Sequence, residues 1–283
     1  MTPFDPRVTP ARPDLAARHL QGRVDAARFV DGTVYEVIEP QAAVRREPSS
    51  DAVLDTEALK GERVTVYDAT DEGWSWGQLE DDGHVGWIPS SALDRPQGAP
   101  THKVAALRTL AFPGPSIKLP PRESLSLGCR LQVLRIAAGL AVAPCGYVPA
   151  RHLVALEARE GDFVAVAERF LGVPYLWGGK TSLGIDCSGL LQVALAAAGR
   201  ACPRDSDMQE EALGRAVDPG PGFAGLRRGD LLFWKGHVAI ARDADTLVHA
   251  NAFHMAVALE PVLEAIDRIA AAGDALSSVR RLA

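Results

Sequence analysis

Residues 190–198 read Leu-Leu-Gln-Val-Ala-Leu-Ala-Ala-Ala, an apolar run closed by Gly199. A helix built on this run has no polar face for water, so it must be buried, and the chain must supply elements that cover it. The approach to it is a tight glycine-rich loop, Pro174-Tyr175-Leu176-Trp177-Gly178-Gly179, followed by Ile185-Asp186-Cys187-Ser188-Gly189. Asp186 suits the N-cap, which puts Cys187 in the first helical turn, where unpaired backbone N–H groups and the helix dipole favour an anion. A thiol there is expected to lose its proton readily, and the thiolate is the nucleophile. On that reading Cys187 should be alkylated ahead of Cys129, Cys145 and Cys202. A buried cysteine with no chemistry would fit the same position, and the histidines further on bear on the choice.

Around this helix the sequence places an α+β domain from residue 157 to 283. Asp162 can cap a helix over 163–171 that ends at Gly172. Residues 203–229 are polar and rich in Gly and Pro, apart from a helical piece near 208–213. Apolar runs at 231–234, 237–241 and 246–250 read as strands, with turns at Gly229-Asp230 and across 242–245. A helix over 261–271 and a strand over 278–282 complete the domain. A hairpin turn centred on Asp243 would set His237 directly opposite His249, with Cβ atoms about 5 Å apart. One imidazole can then take the thiol proton while the other fixes its tautomer and direction. Taken singly, His237 reads as a strand-edge residue and His249 as a satisfied core histidine; together with Cys187 they read as a catalytic set. Zinc is the rival use, but one cysteine and two histidines leave a site without a fourth ligand, so no metal and no cofactor are expected.

Upstream, residues 1–30 form a proline-rich arm with a short helix expected over 14–20. Residues 31–95 carry short strands at 33–38, 63–68, 74–79 and 85–88, punctuated by Asp71-Glu72-Gly73 and Asp81-Asp82-Gly83, the pattern of a small β-barrel. Residues 96–156 repeat its ending: Gly86-Trp87-Ile88-Pro89-Ser90-Ser91-Ala92-Leu93 aligns with Gly146-Tyr147-Val148-Pro149-Ala150-Arg151-His152-Leu153. Gly61-Glu62-Arg63-Val64-Thr65-Val66 aligns in the same way with Gly128-Cys129-Arg130-Leu131-Gln132-Val133. Two copies are too few for a solenoid and are read as two separate small barrels.

Charge narrows the partners. With 36 acidic against 30 basic residues the net charge is −6, and no basic stripe points to nucleic acid or an anionic membrane. Residues 1–20 are interrupted by Asp5, Arg7, Arg12, Asp14 and Arg18 and hold no apolar core of a secretory signal. Four cysteines show no metal-ligand spacing and no disulfide framework. The expectation is a cytoplasmic protein.

The Gly-aromatic-aliphatic-Pro endings resemble bacterial SH3-like domains. Residues 160–283 resemble the NlpC-type family of papain-like bacterial cell-wall cysteine peptidases. That resemblance rests on Pro174-Tyr175-Leu176-Trp177-Gly178-Gly179, Asp186-Cys187-Ser188-Gly189, Arg228-Gly229-Asp230-Leu231, Gly236-His237-Val238-Ala239-Ile240 and Val248-His249-Ala250. It implies that Cys187 is the nucleophile, His237 the base and His249 the third polar group. It implies that Tyr175 borders the oxyanion site with the Cys187 N–H, and that Asp186, Ser188, Asp205 and Ser206, with Trp177 on the loop, face the peptide. Two SH3-like domains ahead of such a domain resemble the γ-D-glutamyl-L-diamino acid endopeptidases of cell-wall recycling. Those cut between D-Glu and diaminopimelate, or lysine, in short murein peptides with a free N-terminal L-Ala. By position, Glu57 and His84 would stand for the acidic residue and tyrosine with which the first SH3-like domain closes the cleft, His84 departing from the pattern. A solvated surface charge and a turn residue are the plainer readings of those two positions. Hydrolysis, acyl transfer and peptide binding all stay open at this level, as does the oligomeric state.

Overall fold

Gln41–Arg45, Arg108–Ala111 and Gly146–Pro149 in the first part of the chain bury alternate residues, which is what one covered face of a sheet requires. Gln41–Arg45 buries Ala42 and Val44, and these meet Val37, Ala58, Val64, Leu79 and Ile88 in one core. The seven strands lie in the order Leu54–Leu59, Gln41–Arg45, Val85–Pro89, Trp74–Leu79, Arg63–Ala69, Thr33–Val37, Leu93–Asp94, a curled antiparallel sheet. The computed structural model describes residues 4–282, and the chain divides into two compact units, Met1–Leu156 and Glu157–Ala283.

The arm before the first sheet is not helical over 14–20. Ala16–Ala17 pairs in parallel with Phe29–Val30 and a single 3₁₀ turn, Arg18–Leu20, follows. Seven residues after a proline are too few to hold a helix by themselves. Here the Ala16 and Ala17 N–H groups bond to the Arg28 and Pro10 carbonyls, and Leu15 is buried against Trp76 and Val85. Tertiary contact therefore overrides helix propensity. The arm docks on the first sheet, with the Arg12 guanidinium 4.4 Å from the Trp76 ring centre.

The repeated ending builds the same local structure twice. Gly146–Pro149 leads through a 3₁₀ turn at Ala150–His152 into Leu153–Ala155, as Val85–Pro89 leads through Ser90–Ala92 into Leu93–Asp94. Three small antiparallel sheets in residues 102–155 share a core of Val104, Ala111, Leu125, Leu131, Ala141 and Val148, to which Leu59 of the first sheet also contributes.

In the second unit, helix α1 (Phe163–Glu168) is capped by Asp162, which accepts from the Val164 and Ala165 N–H groups. Helix α2 (Cys187–Ala197) is buried along its length to Leu195, and α3 (Ser206–Ala212) follows. Six strands form one antiparallel sheet: β1 (Arg215–Ala216), β2 (Asp230–Trp234), β3 (His237–Ala241), β4 (Thr246–Asn251), β5 (Ala256–Pro261) and β6 (Ser278–Arg281). Their spatial order is β1-β6-β2-β3-β4-β5. Strand β5 was not among the expected elements; Leu259 and Pro261 are exposed and the buried position between them is a charged one, Glu260. Helix α4 (Val262–Ala271) buries Val262 and Ala265 against Leu232, Ala239, Ala241 and Leu247 of the sheet. No helix among the described residues is long and apolar enough to cross a membrane.

Candidate active site

The glycine-rich loop is folded by its own backbone. The Leu176 N–H bonds to the Ile185 carbonyl, the Ile185 N–H to Pro174, and the Asp186 N–H to Gly179. Gly178 has φ +76°, which a side chain rarely adopts. Gly189, in the first turn of α2, faces the loop so closely that a Cβ would overlap the Gly179 carbonyl and lie 2.9 Å from Asp186 Oδ1. The glycines let the nucleophile helix press directly on the loop. Gly189→Ala is expected to cost 1–3 kcal/mol, as overpacking does, and to displace Cys187, with a fall in both the unfolding midpoint and activity. Wild-type stability in that variant would show the contact to be slack.

Asp186 does more than cap. Its Oδ1 accepts from the Gly189 N–H (2.7 Å), the Ser188 hydroxyl (3.3 Å) and Arg204 Nη1 (3.0 Å), while Oδ2 accepts from the Gly178 N–H (2.8 Å) and Arg204 Nη2 (2.7 Å). Arg204 is itself buried and also donates to Ser188 Oγ at 2.7 Å. Five donors already occupy this carboxylate, so its place in the fold is to bind loop, helix and Arg204 together. Gln209 reinforces the link, donating to the Ser188 and Pro203 carbonyls. Asp205 and Ser206, which open α3, are thereby held beside the start of α2. Arg204 was missed from sequence; only its position beside Asp205-Ser206 could have drawn attention to it.

Cys187 is buried, its Sγ 4.0 Å from the Gly236 carbonyl oxygen, next to His237. The expected acidification is not found. Burial, with the Asp186 carboxylate adjacent, pushes the thiol up to about 12, while the Val238 and Ser188 N–H groups and Arg204 act the other way. Burial has a similar effect at Cys129 (about 12) and Cys145 (about 11). Preferential alkylation of Cys187 therefore cannot rest on a standing thiolate and would require a base to take the proton.

His237, directly after Gly236 in the chain, is the expected base. His237 Nε2 is 3.0 Å from His249 Nδ1, but not through the expected register. Ile240 pairs with Val248 and Ala241 with Leu247, so the turn is centred on Ala244 and His249 stands opposite Ala239. The Arg242 N–H closing on the Thr246 carbonyl sets this centre. Because strand side chains alternate with period two, moving the centre by one whole residue keeps both imidazoles on the same face, as diagonal neighbours. Burial, then the nearby His249, lowers His237 to about 3, so it is a neutral imidazole able to accept a proton. Burial likewise lowers His249, against the pull of Glu260.

The array continues beyond the expected residues. His249 Nε2 is 2.9 Å from Glu260 Oε2, and Arg268 on α4 grips that carboxylate at both oxygens, Nε to Oε1 at 2.8 Å and Nη2 to Oε2 at 2.7 Å. Glu260 lies on β5, one diagonal from His249 on the far side from His237. It went unread because β5 itself was not expected.

Tyr175 sits on the loop that packs against the start of α2. Burial, with Cys187 and Asp186 nearby, raises its phenol above the ordinary value, so the hydroxyl keeps its proton and can donate. Trp177 is 62% exposed on the same loop. Glu57 and His84 belong to the other unit. Glu57, on Leu54–Leu59, is 4% exposed and so is not a solvated charge, whereas His84 is the turn residue of its plainer reading, its carbonyl accepting from the Leu79 N–H across the turn, and is 2% exposed. Among the described residues no group of three His, Cys, Asp or Glu side chains is set to hold a metal ion.

A neutral thiol at a capped helix start, near the Gly236 carbonyl that precedes a neutral imidazole backed by a second imidazole and a carboxylate, is a set of groups suited to nucleophilic acyl transfer. Residues 172–266 match the NlpC/P60 family, and residues 44–93 match the bacterial dipeptidyl-peptidase SH3 domain. The chain is 35% identical over 102 residues to dipeptidyl-peptidase 6 of Lysinibacillus sphaericus, a stretch covering 36% of each chain. It is 26% identical over 245 residues to a γ-D-glutamyl-L-lysine dipeptidyl-peptidase of Bacillus cereus, covering 74% of this chain and 71% of that one. A Bacillus subtilis protein of the same name is 28% identical over 205 residues, 65% of each. The matched stretches thus span from about a third to 71% of these relatives' lengths. In fold, the chain resembles an NlpC/P60 family protein from Bacillus cereus with a TM-score of 0.73 at 23% identity, over 88% of this chain and 99% of that one.

Proposed function

We propose that this chain, an SH3-like domain ahead of an NlpC/P60 peptidase domain, is a cysteine endopeptidase. Its substrate is the γ-D-glutamyl–diaminopimelate or γ-D-glutamyl–lysine bond of short murein peptides with a free N-terminal L-Ala. The observation that carries the reading is the neutral His237–His249 pair at 3.0 Å, with His237 opening a strand directly after Gly236, whose carbonyl lies 4.0 Å from Cys187 Sγ. The names of the two Bacillus relatives support the substrate class.

The chemistry follows from the groups present. His237 takes the Cys187 proton as the sulfur attacks the D-Glu γ-carbonyl, so the charge separation disfavoured at rest is made only as the C–S bond forms. The oxyanion receives hydrogen bonds from the Cys187 N–H and the protonated Tyr175 hydroxyl. His237 then protonates the leaving α-amine of the diamino acid, and the C–N bond breaks. Water, deprotonated by the same imidazole, attacks the thioester, releasing L-Ala-γ-D-Glu and restoring the thiol. Trp177, Ser188, Asp205 and Ser206 flank the nucleophile as peptide contacts in this reading.

A free N-terminal ammonium separates released wall fragments from the intact wall, in which L-Ala is amide-linked to glycan. A cytoplasmic place of action belongs to the same proposal, since only fragments returned there would meet the enzyme. Acetylating the L-Ala removes the charge and adds bulk at the amine, so cleavage is expected to fall more than a hundredfold, about 3 kcal/mol or more. Mass analysis of free and acetylated tripeptide, with purified sacculi as a third substrate, tests this. Release of free L-Ala-γ-D-Glu marks hydrolysis, and its amide marks transfer. Equal cleavage of both peptides, or solubilised sacculi, would overturn the recycling assignment.

A further inference from the structure

The geometry points to Glu260, held by Arg268, as a positioning residue that fixes the tautomers of both histidines and makes Nδ1 of His237 the basic nitrogen. The inference rests on the peptidase reading above for its kinetic arm only. It follows from where acceptors can be. Glu260 is buried, and Arg268 bonds to both of its oxygens, which keeps it ionised, with its carboxyl well down at about 2. An ionised carboxylate only accepts, so the 2.9 Å contact requires His249 Nε2 to carry the hydrogen. A neutral His249 then has a bare Nδ1, and the 3.0 Å contact requires His237 Nε2 to donate to it. The second proton position of neutral His237, Nδ1, is left bare. Each tautomer in the chain is thus dictated by the acceptor behind it, and the first acceptor is Glu260.

The groups facing His249 are few. His237 comes from β3, Glu260 from β5, Arg268 from α4, and His254 from the turn between β4 and β5. The Phe253 ring lies 4.5 Å from the Arg268 guanidinium carbon, stacked on the cation that clamps Glu260. Without Glu260, His249 has no partner that demands hydrogen at Nε2. Its other tautomer would donate from Nδ1 to His237, forcing the His237 hydrogen onto Nδ1, where it blocks proton uptake from the thiol.

The test uses the full chain labelled with ¹⁵N-histidine, read by two-bond ¹H–¹⁵N correlation at neutral pH. His237 and His249 should both show hydrogen at Nε2; hydrogen at Nδ1 of either would overturn the inference. Glu260→Ala should mix the tautomers and lower kcat on the order of a hundredfold with KM within about threefold. Glu260→Gln keeps an oxygen for His249 Nε2 and should stay within about tenfold of wild type. Equal losses in both variants, or unchanged tautomers in folded Glu260→Ala, would also overturn it. The spectrum needs no substrate, so failure of the wild type to cut the tripeptide would count against the substrate reading alone.

Discussion

Alanine at His237 is expected to lower kcat/KM about as far as alanine at Cys187, on the order of 10⁴-fold or more, and the double variant should be little worse than either. In the proposed mechanism the two act on one proton, so either loss removes the step. His249→Ala should cost less, because it orients the base without touching the thiol. A folded His249→Ala as inactive as His237→Ala would reverse this order of roles. The acid limb of the rate profile carries the same information. In the proposed mechanism His237 works as a neutral base, and burial lowers its pKa to about 3. Activity should therefore persist as pH falls through 6.5, where an ordinary imidazole would be lost. Stability behaves differently. A pKa lowered in the folded state means the unfolded chain takes the proton first. The histidine's contribution is therefore intact above about 6.5 and is lost progressively as pH falls toward 3. Unfolding, rather than protonation of the base, should set the acid limit. A kcat/KM break near 6.5 in protein still folded by circular dichroism would contradict a lowered His237 pKa.

Arg204→Ala is expected to destabilise the catalytic unit by about 3–5 kcal/mol, lowering its unfolding midpoint by on the order of 10 °C or more. Asp186 keeps its three other donors but loses the cation that balances its charge, and its side chain is only 9% exposed. The same change frees the link between α2 and the segment that starts α3, so activity should fall even where the fold survives. Lysine would restore charge but not the fork that contacts both carboxylate oxygens, and should recover only part. The double variant Arg204→Met/Asp186→Asn makes the argument specific. Removing both charges should return most of the stability, since a buried pair adds little over apolar packing, yet it leaves the loop without its anchor and activity low. Chemical denaturation of the three variants measures this; a single variant within 1 kcal/mol of wild type would mean that Arg204 is dispensable.

Much of the protein was determined by sequence alone because its signals are local. The apolar run after Cys187, the Asp186 cap, the turn glycines and the repeated Gly-aromatic-aliphatic-Pro ending each act over a few residues, and helix α2, strands β2 to β4 and the SH3-like strands follow from them. The His237–His249 pairing was legible for a related reason: with a side-chain period of two, moving the turn centre from Asp243 to Ala244 changed the partner and kept the face. Only the tertiary structure decided the rest. Residues 14–20 lost their helix to backbone bonds with Arg28 and Pro10. Arg204 reaches Asp186, and Glu260 with Arg268 completes the histidine chain, through contacts that no local pattern encodes. The charge state of Cys187 was decided there too. The helix start favours a thiolate over one turn, but burial acts from every side, and desolvation of a charge outweighs a partial dipole.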